Sequence, residues 1–182
     1  MMKNKGLLSR LLSIVAGVVV LLSFVGCSTV DRSPAPKIDP NASWVVLPFA
    51  NHTETPLAGQ RAEAIALALL QASGNRQVKL HASEAASFFE PAAQSRQEEA
   101  LTRARESGAQ YALAGAVDEW RYKVGVDGEP VVGLSLQIIE VSSGKTLWSG
   151  SGGKSGWSRE ALSSIARQLL RQLLLPAVSV AP

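Results

Sequence analysis

Apolar and polar positions recur with two periods along this chain, and each change of period marks a new element. Positions 44–49, Trp44-Val45-Val46-Leu47-Pro48-Phe49, are continuously apolar. Such a run predicts a strand buried on both faces, in the middle of a sheet covered by helices. Pro48 has no N–H to donate, so pairing on that side should stop there. Over 57–73, Ala58, Ala62, Ile65 and Leu69 share one helical face beside Ala66 and Leu70, and Gly74 ends the helix. Positions 77–81 predict a short strand with Val78 and Leu80 turned inward. Stretch 82–91 is less regular; Phe88 and Phe89 read as a cap on the core. A polar helix follows over 95–107, with Glu98, Glu99, Arg103 and Glu106 on its exposed side. That mixed-charge face is either solvated or meets a neighbouring subunit.

The second half changes to period two. Strands are predicted over 110–125, 131–141 and 146–150, joined by Asp127-Gly128 and by Ser142-Ser143-Gly144-Lys145. Gly150, Gly152, Gly153 and Gly156 lie within seven residues and predict a mobile loop. Ser158 is placed to cap a last helix over 159–175, whose apolar face is Leu162, Ile165, Ala166, Leu169, Leu170 and Leu173, and Pro176 is its expected stop. The fold expected for residues 43–182 is one α/β domain: a mixed sheet, a three-strand antiparallel meander and packing helices. Strand reversal puts Asp127 and Glu129 at the same end of the sheet as Trp157, with Ser143-Gly144 at the other.

The first 26 residues follow another logic. Lys3, Lys5 and Arg10 precede an uncharged run over 11–25, and Gly26 precedes Cys27, the only cysteine. A basic start, an apolar middle and a small residue before the cut predict an export leader. The run is short of the roughly 20 residues that span a bilayer. The cysteine after the small residue resembles a bacterial lipoprotein signal, although Phe24 stands where that pattern prefers leucine. Cleavage before Cys27 would leave a lipidated amino terminus, and the resemblance to sorted lipoproteins, with Ser28 in place of aspartate, implies the outer membrane. Two acyl chains hold a protein firmly without crossing the bilayer. Pro34, Pro36 and Pro40 among polar residues make 27–42 a tether. The net charge of +3 equals the leader's three bases, so charge gives no reason to expect nucleic acid.

Candidate chemistry is sparse. His52 and His81 are the only histidines, and no Cys/His cluster predicts a metal. Gly153-Lys154-Ser155 ends like a phosphate loop, but Trp148 stands where its first glycine belongs. Asp118 and Glu119 are adjacent on a strand, so they are expected on opposite faces. Asp127 and Glu129 sit in a turn, where acids are common for local reasons. Trp157 has Lys154 and Arg159 beside it, a grouping that suits the interface of an anionic membrane. Alternatively, Trp157 folds back as a staple on the last helix. The tether to Cys27 favours the membrane.

Residues 44–51, ending Phe49-Ala50-Asn51, are similar to the first strand and loop of the amino-terminal domain of TolB. The secretion lipoprotein CsgG and the lipoprotein activators of penicillin-binding proteins share that general fold. A closer resemblance is to the PelC family of Pel exopolysaccharide export lipoproteins. It is carried by Leu47-Pro48-Phe49-Ala50-Asn51-His52, Arg61-Ala62-Glu63-Ala64, Asp118-Glu119-Trp120-Arg121-Tyr122-Lys123 and Ser155-Gly156-Trp157, and it extends from Cys27 to about Leu174. The resemblance implies a non-catalytic homo-oligomer with no cofactor beyond the lipid. It implies a dodecameric ring on the periplasmic face of the outer membrane, with Trp157 touching lipid. An electronegative surface would guide the cationic, partly deacetylated polymer to the PelB barrel. Asp118, Glu119, Asp127 and Glu129 are the candidate polymer-facing acids. The alternative is a periplasmic regulator that docks on a cell-wall or envelope enzyme through this fold.

Overall fold

A computed structural model describes residues 28–74, 78–80, 93–125 and 128–178. The leader 1–26, Cys27, the pair Phe88 and Phe89, and Asp127 therefore lie outside the described residues. Along the chain come β1 (Ser28–Arg32), β2 (Trp44–Val46), β3 (Ala50–Asn51), α1 (Ala58–Ala72), β4 (Val78–Leu80) and α2 (Ala93–Glu106). Then follow β5 (Tyr111–Tyr122), β6 (Pro130–Glu140), β7 (Thr146–Ser155) and α3 (Leu162–Val178). One mixed sheet runs β1-β7-β6-β5-β2-β4, with β3 also on β5. β5, β6 and β7 are the expected antiparallel meander, and β2 and β3 run parallel to β5. The single α/β domain with a mixed sheet is thus the fold the chain forms.

Two faces of this sheet are packed unequally. On one, Leu113, Val117, Trp120, Leu134, Leu136, Ile138 and Trp148 meet Leu69 and Leu70 of α1 and Ile165, Leu169 and Leu173 of α3. On the other, among the described residues, Val45, Leu47, Ala112 and Ala114 meet the small Ala100 and Ala104 of α2 and Val141, with Leu101, Ala109 and Ile139 at the margin. Pro48 separates β2 from β3, as expected. The next amide, at Phe49, donates instead to the buried Glu63 Oε1 at 2.8 Å. Two of the segments singled out in the sequence are therefore bonded to each other.

Four expectations need correction. Residues 27–42 do not form a tether throughout: β1 pairs with β7 from Ser28↔Lys154 to Arg32↔Gly150. Without β1, the backbone of β7 would be a bare sheet edge. Pairing turns Val30 onto the helix-covered core, and the Trp148 indole donates to Ser33 O at 3.0 Å just beyond.

The glycine-rich stretch is not a mobile loop, because β7 continues through Ser155. Its glycines permit close approach. A Cβ at Gly150 would sit 2.6 Å from the Trp148 ring, and one at Gly152 would sit 2.6 Å from the Thr29 carbonyl oxygen. Gly153-Lys154-Ser155 is extended strand, so it cannot curl around a phosphate.

The last helix begins at Leu162 and holds Pro176 inside it. Ser158 and Arg159 form a turn before it, with Arg159 at φ 70°. A proline at 176 removes the amide that would bond the Gln172 carbonyl. The Arg32 guanidinium supplies that donor, with Nη1 2.6 Å from Gln172 O.

Asp118 and Glu119 do not face apart. β5 pairs Val117↔Leu134 and then Glu119↔Gly133, which leaves Asp118 as an extra, bulged residue. The bulge shifts the inward positions from odd to even numbers, so Trp120 still reaches the core. It also puts both acids on one face. A Cβ at Gly133 would lie 3.2 Å from the Glu119 Cβ and 3.7 Å from the Asp118 Cβ.

Candidate functional site

The loop after β3 is tied to β5 before any side chain acts. His52 N–H donates to Val117 O at 2.9 Å, and Thr55 Oγ1 donates to Trp120 O at 2.6 Å. This brings His52 Nδ1 to 3.1 Å from Asp118 Oδ1, while Ser135 Oγ donates to Asp118 Oδ2 at 2.6 Å. In a Ser-His-Asp site the serine bonds an imidazole that takes its proton. Here Ser135 and His52 bond the same carboxylate and not each other, so the trio is no such relay. Its chemistry is that of a held negative charge, with the Asp118 side chain 43% exposed.

Beside this trio, among the described residues, the sheet face beyond α2 forms an open cleft of about 1090 Å³. Asp31, His52, Gln97, Ser135, Gln137 and Ser151 are among its lining residues. Strand register aligns Ser135 with Ser151, and Ser151 with Asp31. Two interstrand steps put Asp31 about 10 Å from Ser135 along the floor. Among the described residues no hydrogen bond or ion pair engages the Asp31 side chain. Reading 27–42 as a tether hid this acid. The alternation in Thr29-Val30-Asp31 was the one available signal.

The remaining candidates are paired within the chain. Glu119 Oε1 lies 2.7 Å from Arg121 Nη2, and Glu129 Oε2 lies 3.0 Å from Lys123 Nζ. Each pair cancels most of its own far field. Asp127 lies outside the described residues. Among those residues no group of three or more His, Cys, Asp or Glu is placed to hold a metal ion.

At the end of the meander, Gly156 N–H donates to Pro130 O at 2.9 Å, which joins the Trp157 turn to the 123–129 hairpin. Trp157 N–H donates to Glu160 Oε2 at 2.6 Å, and Glu160 N–H returns a bond to Trp157 O. The indole side remains 53% exposed, so it does not serve as a staple buried on the last helix. Lys154 stands opposite Ser28 on the neighbouring strand, and Arg159 is exposed in the turn. Trp157, Lys154 and Arg159 thus gather at one end, next to the residue that follows Cys27 in the chain. Among the described residues no helix is long and apolar enough to cross a membrane.

The class of protein defined here is a mixed-sheet α/β domain of the TolB amino-terminal kind. Lipoprotein GNA1162 from Neisseria meningitidis shares that fold at 20% identity and TM-score 0.51, over 72% of this chain and 94% of its own. The PelC dodecamer from Paraburkholderia phytofirmans is 41% identical with TM-score 0.72, over 85% of this chain and 100% of its own. A leucine-to-methionine variant of that dodecamer gives 40% identity and TM-score 0.73 over the same shares. The chain belongs to the PelC family. No protein-family model and no curated protein sequence matches it.

Proposed function

We propose that this chain is a non-catalytic, lipid-anchored subunit of an outer-membrane ring that guides a cationic exopolysaccharide to its export barrel. The observation that carries the reading is the pairing of Ser28 with Lys154. A lipid on the adjacent Cys27 would leave the sheet at the end that presents Trp157, Lys154 and Arg159. Lipid and indole would then face one bilayer, and the domain would hang on its periplasmic side. The family relatives are dodecamers, and a ring of twelve copies is the assembly proposed here. Asp118, with Asp31 across the cleft, is the acid surface proposed to meet the polymer. Glu119 and Glu129 contribute less, because Arg121 and Lys123 neutralise them. A flexible polycation on such a surface binds weakly and is released by salt.

The test replaces Asp31 and Asp118 together with lysine in the full-length chain, in cells that export the polymer. Export should fall about tenfold, since two carboxylates become two repelling cations. Ring mass by light scattering and membrane partition should be unchanged. Full export from an intact ring would refute the assignment of these acids. A wild-type chain that stays monomeric on the membrane would refute the ring.

A further inference from the structure

We propose that lipid is met by a footing of three separate segments, in which Leu57 and the hairpin residues Tyr122 and Val124 enter the bilayer surface alongside Trp157. This rests on the membrane orientation proposed above and extends it to two segments that carry no assignment there.

Among the described residues the exposed large hydrophobics are Leu57 at 54%, Tyr122 at 48%, Trp157 at 53% and the fully exposed Val124. They lie on three different segments, yet all sit at the carboxyl end of β5. Tyr122 ends β5, and its hydroxyl donates to Glu160 O at 3.2 Å, which ties it to the Trp157 turn. Val124 is two residues further along the same hairpin. Leu57 follows the loop that Thr55 fastens to Trp120 O. At the opposite end the 142–145 turn is Ser-Ser-Gly-Lys, exposed and polar. Scattered apolar side chains are ordinary on a protein surface, but their collection at one end is not.

Leu57 adds an independent sign. Its φ is 61°, a left-handed conformation disfavoured for a branched side chain. In the isolated chain that strain secures no burial for the leucine. Strain of this kind is kept where a function needs it. The occupant is a lipid surface for two reasons. Ser28 pairs with Lys154, so an acyl group on Cys27, as proposed above, would enter the bilayer here. Tyr and Trp, each with an apolar body and a polar edge, also suit the headgroup boundary.

Acylation consumes the thiol of Cys27, the only cysteine, so one introduced cysteine can be labelled cleanly in the full chain. Leu57→Cys, Val124→Cys, Trp157→Cys and, as the far-end control, Ser143→Cys each carry an environment-sensitive dye. The acylated proteins are reconstituted in phosphatidylethanolamine–phosphatidylglycerol vesicles with brominated acyl chains. Quenching of about twofold is expected at 57, 124 and 157, with almost none at 143, for side chains at the headgroup–acyl boundary. Quenching at 157 but not at 57 and 124 would overturn this inference and leave the orientation standing. Absence at all three would overturn both. A label at 57 or 124 shielded from bromolipid and from aqueous iodide would show that a neighbouring copy covers it, and would also overturn the inference.

Discussion

The two faces of the sheet are built from the same strands and differ in almost everything else. Beneath α1 and α3, alternate residues are large: Trp120, Leu134, Leu136, Ile138 and Trp148 are almost wholly buried. Each such side chain contributes roughly 1.5–3 kcal/mol on burial. On the reverse face the intervening residues are Ala114, Ala116, Ser135, Gln137, Ser149 and Ser151, and among the described residues α2 covers the part around β2 and the start of β5. One face therefore holds the fold, while the other keeps charged and hydroxyl groups in contact with water. A binding surface can change there at little cost to stability, because few of its side chains support another.

Neighbouring glycines of β7 offer the hardest test of that contrast. Gly150 faces the core, where an added Cβ would collide with the Trp148 ring, itself 2% exposed and unable to move aside. Gly153 faces the open side, where the nearest atom to such a Cβ is 3.8 Å away. Gly150→Ala should cost about 2–3 kcal/mol as overpacking. That lowers the melting temperature by about 5–10 °C for a domain of this size. Gly153→Ala should stay within about 0.5 kcal/mol of the parent. Equal losses in thermal unfolding would erase the distinction between the faces.

A smaller effect lies at the edge of the packed face. Arg32→Ala leaves the Gln172 carbonyl without the donor that Pro176 cannot provide. The bond is partly solvated, so the loss should be about 1 kcal/mol. Pro176→Ala restores a backbone amide four residues on. In that background Arg32→Ala should cost clearly less, a coupling of about 0.5 kcal/mol or more in a double-mutant cycle. Additive losses would mean that Arg32 acts only through β1.

The packed face was legible in the sequence because large apolar residues repeat on it with a clean period. Thus the helix over 57–73 and the meander follow from the sequence, with Glu129 at the Trp157 end. The bulge is legible too, in the parity: Leu113 and Val117 are odd, Trp120 and Tyr122 even. That slip decides that Asp118 and Glu119 share a face. What escaped depends on contacts between distant segments. Gly150 and Gly152 signal flexibility locally, yet Trp148 and β1 require them for close packing. Pro176 signals a stop until Arg32 satisfies the carbonyl it strands. Ser28–Arg32 is too short and polar to declare itself a strand without β7 beside it.

Asp118→Asn should have only a small effect on stability. The amide keeps an oxygen for Ser135 Oγ, removes the charge and turns an NH2 donor toward His52 Nδ1. His52 and Asp118 are 60% and 43% exposed, so water screens their attraction. Exposed pairs of this kind contribute at most about 1 kcal/mol and commonly far less. The melting temperature should therefore move by no more than about 2 °C. Retention on an immobilised polycationic saccharide at low salt should nevertheless fall, and the difference should vanish as salt rises. A loss of several degrees would make the carboxylate a structural brace of the bulge. Unchanged stability together with weakened, salt-dependent retention would separate the work of the two faces at a single oxygen-to-nitrogen exchange.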